Sequence, residues 1–179
     1  MATNNNYKEY TVKVYKDRTE WYLNGKLHRE DGSAIEWANG SKEWWLNRKL
    51  HRENGPAVEH ADGYKAWFLN GKRHRVDGPA VEFADGTKEW WVNGNRHRVD
   101  GPAIECADGS KYWYLNGNRH RVDGPAIEDN DGIKEWYLND KEYTKADWKK
   151  EIVKIKNKNS CNGRIVEIDG KKYKLIEEK

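Results

Sequence analysis

The sequence predicts an all-β repeat array, an antiparallel β-hairpin meander or solenoid, closed by a small carboxy-terminal α+β cap. Three observations predict it. First, a period of 23 residues runs through most of the chain: Trp recurs at Trp21, Trp44, Trp67, Trp90, Trp113 and Trp136, and His at His28, His51, His74, His97 and His120. Second, turn formers recur with it. All four prolines (Pro56, Pro79, Pro102, Pro125) share one repeat position, and fourteen of the sixteen glycines fall at three. Such a period fixes architecture before any local motif is weighed. Third, the apolar material is aromatic. Leu, Ile, Val and Phe together number 29 of 179 residues, against ten Trp and ten Tyr. The aliphatic count is low for a conventional core, yet disordered chains are poor in aromatics and the net charge is only +3. A core of aromatic rings is expected. Trp, Tyr, Asn and Gly are modest or poor helix formers, which disfavours a helical bundle.

Residues 1–10 read as a flexible start. Residues 11–16 read as the end of a truncated first repeat, with Val12 standing where the next repeat has Ile35. The array then runs over residues 11–143, and residues 87–108 show its unit. Asn93-Gly94 between short apolar runs marks a two-residue type I′ turn, because both residues tolerate positive φ. Ala107-Asp108-Gly109 fits a three-residue loop with Gly in the left-handed position. Asp100-Gly101-Pro102 reads as a mid-strand bulge: Gly permits the kink and Pro removes a ladder donor. Each repeat is then one hairpin, a short strand over residues 88–93 and a longer bulged strand over 95–106.

Register follows from the Asp-Gly turn. Glu105 faces Lys111, and Ala103 faces Trp113. The charged pair recurs as Glu36/Lys42, Glu59/Lys65, Glu82/Lys88 and Glu128/Lys134, a favourable cross-strand combination. Ala34, Ala57, Ala80, Ala103 and Ala126 leave room for the indole opposite. Trp113 and Leu115 share a face with Ala103; Ile104, Tyr112 and Tyr114 take the other. A varied aromatic row, Tyr22, Trp45, Phe68, Trp91, Tyr114 and Tyr137, runs along that second face. The unvarying Trp row is taken as core. The varied row is taken as the displayed, protein-binding surface, because Tyr and Trp anchor interfaces.

Residues 144–179 form the cap. Thr144 is an N-cap with Asp147 three residues on. Trp148, Ile152 and Ile155 then follow at helical spacing. Residues 157–162 read as a loop, and residues 164–168 and 171–176 as a hairpin around Asp169-Gly170. An open array end needs such cover. Residues 145–179 carry a net charge of +5 and the rest of the chain −2. A basic tail can mean nucleic acid, but interleaved acids and the lack of a stacking platform favour a solvated cap helix.

Several function classes fall. No apolar run approaches the roughly 20 residues of a membrane span, so no membrane partner is expected. The amino-terminal Met-Ala-Thr-Asn-Asn-Asn lacks the apolar stretch of a secretory signal. Cys106 and Cys161 fit no metal or redox motif. Reduced cysteines and a cytoplasmic location are expected, with no cofactor. The His ladder, each His followed by Arg29, Arg52, Arg75, Arg98 or Arg121, admits three readings. As a metal site it is poorly spaced: successive His lie roughly 10 Å apart by the strand spacing, whereas zinc ligands lie about 2 Å from the ion. As a catalytic site it is too repetitive, since an active site is one unique cluster. It therefore reads as a structural ladder, with His bonding across the hairpin and Asp31, Asn54, Asp77, Asp100 or Asp123 holding the bulge. The other reading left open is an anion-binding stripe for a nucleotide, a nucleic-acid backbone or an acidic protein face.

The pattern Trp-x-Asn-Gly-x-x-His, clearest from Trp91 to His97, with its later Asp-Gly and 23-residue period, resembles the MORN repeat. Here Arg follows the His where MORN repeats have Gly. The stretch from Trp21 to Gly32 is similar to divergent repeats of bacteriophages and large DNA viruses. The resemblance covers residues 11–143. It implies an antiparallel hairpin array serving as a scaffold for protein or membrane contact, and the net acidic repeats fit the protein role. The leading expectation is a non-enzymatic protein-binding module, in a phage setting an inhibitor of a host defence protein. The alternatives are a nucleotide or nucleic-acid binder using the His-Arg stripe, and a structural virion component.

Overall fold

The computed structural model describes residues 8–159, 165–168 and 171–174. Each of the four inner repeats contributes four very short strands, in the fourth unit Lys88–Glu89, Trp91–Val92, Asn95–Arg96 and Ile104–Glu105, while in the first and last repeats Arg18–Leu23 and Lys134–Leu138 run unbroken. Within an inner repeat the first and last strands join one continuous antiparallel meander, a sheet of fourteen strands among the described residues. The middle two pair only with each other, Trp91 opposite Arg96. A repeat is therefore not a hairpin with one long bulged strand. The residue ladder is interrupted at Trp90, whose O still accepts the His97 N–H, and between His97 and Ala103 the chain leaves the sheet as a loop. Pro102 has no N–H to give to a ladder, and Arg98 organises the loop from within.

The expected register of the charged pairs holds. Glu105 pairs with Lys111 and Ile104 with Tyr112. On its other side Glu105 pairs with Lys88; Glu59, Glu82 and Glu128 likewise lie between two Lys, while Glu36 lies between Thr19 and Lys42. The backbone bond of each Ala to a Trp runs instead to the preceding strand: the Trp90 N–H, not that of Trp113, donates to Ala103 O, and the Trp113 N–H to Ala126 O, both at 2.8 Å. The five Ala of this position are fully buried, leaving the space that the indoles need. Both turns also hold. Asn93 and Gly94 have φ of 53° and 85°, and Gly109 has φ of 93°.

The first repeat departs by one residue. β1 (Thr11–Val14) and β2 (Arg18–Leu23) pair Lys13 with Glu20 and Val12 with Trp21. Lys13, not Val12, thus occupies the position of Ile35, which pairs with Glu43. The cause is a tighter turn. Tyr15 N–H bonds Arg18 O, whereas Trp37 N–H bonds Ser41 O, one residue further on.

The division between a Trp core and an aromatic display is not what forms. Val58, Ala66 and Val81 make the buried cluster, with Leu50, Tyr64, Phe68 and Trp91 packed against it. The varied aromatic row thus packs on the main core. The unvarying Trp row, on the opposite side by strand alternation, is itself only half-buried.

At the far end α1 (Lys145–Asn159) closes the array. Thr144 Oγ1 accepts the Asp147 N–H at 3.2 Å, as the cap signature requires. Trp148 and Ile152 bury against Leu138, with Trp136, Tyr143 and Ile155 around them. Trp148 Nε1 donates to Arg121 O at 3.1 Å. The helix runs past Asn157, where a loop was expected; Lys156 and Lys158 in its last turn suit the negative end of the helix dipole. Ile165–Ile168 and Lys171–Lys174 pair as the expected hairpin. Its turn at Asp169-Gly170, with Arg164, Ile176, Cys161 and residues 1–7, lies outside the described residues. No described helix is long and apolar enough to cross a membrane.

Candidate functional site

Arg98 shows what the His-Arg loop does. Its guanidinium carbon stands 4.0 Å from the centre of the Trp90 ring. Its Nε donates to Asp100 at 2.9 Å, and its Nη1 to Pro102 O at 3.2 Å and to Glu105 at 2.8 Å. The arrangement recurs. Arg29, Arg52, Arg75 and Arg121 lie 3.8–4.2 Å from Trp21, Trp44, Trp67 and Trp113. Each bonds the Glu seven residues on: Glu36, Glu59, Glu82 and Glu128. Arg29, Arg75 and Arg121 also hold the Asp two residues on. Hydrogen bonds from the Arg hold the carboxyls of Asp77 and Asp100 below the usual range. Arg thus folds a loop around itself, stacked on Trp and gripped by acids. The charge of the stripe is compensated in place.

The His ladder links repeats rather than the strands of one hairpin. The backbone N–H of Asn116 donates to His97 Nδ1 at 3.1 Å. Asn47, Asn70, Asn93 and Asn139 do the same to His28, His51, His74 and His120 at 3.1–3.3 Å. At His28, His51, His74 and His120 the same Nδ1 also stands 2.8–3.2 Å from the side-chain Oδ1 of that Asn. Each His therefore staples its loop to the Asn turn of the next repeat. Among the described residues no group of three or more His, Cys, Asp or Glu could hold a metal ion.

The varied aromatic row forms a second ladder. Tyr137 is buried; Tyr22, Trp45, Phe68, Trp91 and Tyr114 are half-buried. Four of the polar tips turn to a Glu two residues upstream on the same face, whereas Tyr114 has Tyr112 at that place. Tyr22 bonds Glu20 at 2.6 Å, Trp45 bonds Glu43 at 2.7 Å, Trp91 bonds Glu89 at 2.8 Å and Tyr137 bonds Glu135 at 2.9 Å. The bond to Glu20 is the main reason that the Tyr22 phenol is pushed up to about 12. Burial, then Glu135, does the same for Tyr137, also to about 12. Phe68 has no polar tip, and its upstream residue is Ala66. This covariation stands in the sequence and is the signal that the periodicity reading missed.

Arginines thread the same row. Arg73 lies over Phe68 and Trp91, with Cζ 5.7 and 5.1 Å from the ring centres. Arg96 lies over Trp91 and Tyr114 at 4.9 and 5.6 Å. Arg119 lies over Tyr137 at 4.1 Å. Towards the Asp-Gly turns the face opens. An open recess of about 340 Å³ is lined by Phe83, Ile104, Cys106, Tyr112 and Tyr114, among others. Tyr64 meets Phe83 edge-on at 5.5 Å and stacks against His60 at 5.0 Å. Burial raises the Cys106 thiol above its ordinary value. These turn-edge residues were not singled out by sequence. Their signal is that they stand at positions where the repeat does not repeat: Trp37, His60, Phe83, Cys106 and Asp129 share one, and Tyr64 stands where Ser41, Thr87 and Ser110 do.

No protein-family model matches the chain, and no curated protein matches it.

Proposed function

We propose that this chain is a MORN-like, non-enzymatic repeat module that binds a protein partner along its varied aromatic face. One observation carries the reading: the aromatic row and the turn-edge residues share one face that is only half-covered and holds an open recess beside Tyr114. Aromatic residues with polar tips, set on a rigid sheet, are the material of interface hot spots. The His-Arg stripe is the weaker candidate, because each of its Arg already faces carboxylates of its own loop. A partner protein of the host is the natural target if the viral resemblance extends to biology.

The test is a pull-down with the tagged full chain from cell lysate at low and moderate salt, with mass spectrometry and nucleotide extraction of the eluate. One protein retained at moderate salt, and lost with Tyr114→Ser or Trp91→Ser, is the expected result. Retention of nucleic acid or small anions alone, falling steeply with salt, would overturn it in favour of the stripe.

A further inference from the structure

Three arginines thread the aromatic row, and two of them have a carboxylate. Arg96 Nη2 donates to Glu89 at 3.1 Å. Arg119 pairs with Asp140 at 3.4 Å. The Arg73 side chain makes no hydrogen bond or ion pair among the described residues; its Nε is buried without a partner, as is that of Arg96. The reason lies one repeat earlier than Glu89. The corresponding position is Ala66, fully buried in the core cluster beneath Tyr64 and Phe68. The third repeat has thus lost the carboxylate that would answer Arg73 and has kept the cation. The preceding repeat places Leu50 at the Arg73 position, packed on the cluster, and its Glu43 is bonded by Trp45.

We infer that Arg73 is the anchor of a docking site for a peptide segment of the partner that presents one carboxylate flanked by apolar or aromatic residues. The inference rests on the protein-binding reading above. The carboxylate takes the place that Glu89 holds beside Arg96, while the flanking side chains lie on Tyr64, Phe68 and Phe83. The chemistry is complementary on both counts. A guanidinium with a free donor edge prefers a planar carboxylate, which can accept two of its N–H groups. A polyanion fits poorly, because Asp62 and Asp85 border the same recess beside Tyr64 and Phe83 and would repel a run of phosphates.

The experiment is selection of random peptides displayed on phage against the full chain, followed by fluorescence polarisation with a labelled synthetic copy of the enriched peptide. Enrichment of Asp or Glu beside aromatic or aliphatic residues is expected. Binding should weaken about tenfold or more with Arg73→Gln, with the amide version of the peptide's acid, and with Ala66→Glu. The last variant supplies Arg73 with an internal partner, so it should bind worse while melting no lower. Should Ala66→Glu fail to fold, Arg73→Gln, at a half-exposed position, carries the test alone. Enriched peptides without an acid, no enrichment, or affinity unchanged in Arg73→Gln overturns this site. If the lysate partner is still retained by Arg73→Gln, the module binds protein elsewhere and only the present inference falls. If no protein is retained by the unmodified chain, both fall.

Discussion

Gly101 is the seat of Arg98. A Cβ built at Gly101 would stand 3.0 Å from the guanidinium carbon, while the other face of that group lies on Trp90. The glycine is present for close approach, since Gly101 is not among the positive-φ residues. The same contact recurs at 3.0 Å for Gly78 and 2.8 Å for Gly124.

Gly101→Ala should therefore destabilise the array by about 1 kcal/mol, overpacking outweighing the entropy gained in the unfolded chain. In an Arg98→Ala background the same change should be neutral or stabilising, because the clash is gone. Urea denaturation of the four members of this cycle checks it. Additive effects would mean that Arg98 does not fill the space over Gly101.

The staple between repeats gives a second expectation. His97→Ala removes the acceptor of the Asn116 N–H and should cost about 1 kcal/mol, a typical net hydrogen bond. Because the array is held by nearest-neighbour contacts, the loss should be local. Hydrogen exchange of the Asn116 amide should quicken, while that of Asn47, held by His28, stays as it was.

The turn at Asn47-Arg48 breaks the Asn-Gly pattern. Arg48 is held at φ of 66°, a conformation that costs a side-chain-bearing residue roughly 1–2 kcal/mol. Arg48→Gly should stabilise the protein by about 0.5–1 kcal/mol, the remainder being lost to the entropy of glycine. An unchanged or lowered melting temperature would show that the Arg48 contact with Gly25 O outweighs the strain.

The aromatic–Glu pairs set the response to alkali. Tyr22 and Tyr137 are both pushed up to about 12, from the ordinary value near 10. Their contribution to stability is whole below pH about 10 and is lost as pH rises through about 12. In a tyrosinate absorbance titration the Tyr22 and Tyr137 phenols should lag, together with Tyr112, which burial also raises, and Tyr22→Phe should remove one of them. On the acid side Asp77 and Asp100, held low by Arg75 and Arg98, contribute stability above the usual carboxylate range. They lose it as pH falls through their lowered values.

Much of the fold was legible because the turns repeat. Asn93-Gly94 and Asp108-Gly109 fix register by backbone conformation, so the pairing of Glu105 with Lys111 follows by counting. The loop was not legible, because Asp-Gly-Pro fits a bulge and a loop equally well. What decides is the stacking of Arg98 on Trp90, a packing contact that no local propensity encodes. The first repeat slipped by one residue for a related reason: Val12 and Lys13 both suit a strand, and only the length of the turn at Tyr15 chooses. The candidate site was half legible. The aromatic row was visible as a period, but its coupling to Glu20, Glu43, Glu89 and Glu135 needed the comparison of Ala66-Trp-Phe68 with Glu89-Trp-Trp91.

The sequence by itself determined the period, the turns, the register of the main sheet and the capping helix, because each depends on backbone preferences and spacing along the chain. Only the tertiary structure decided which side is core, why Arg follows each His of the ladder, and which arginine along the aromatic row lacks a carboxylate. Those depend on which side chains come together across repeats, where Trp90 and Trp91 are adjacent in sequence yet one lies beneath Arg98 and the other packs on Val81.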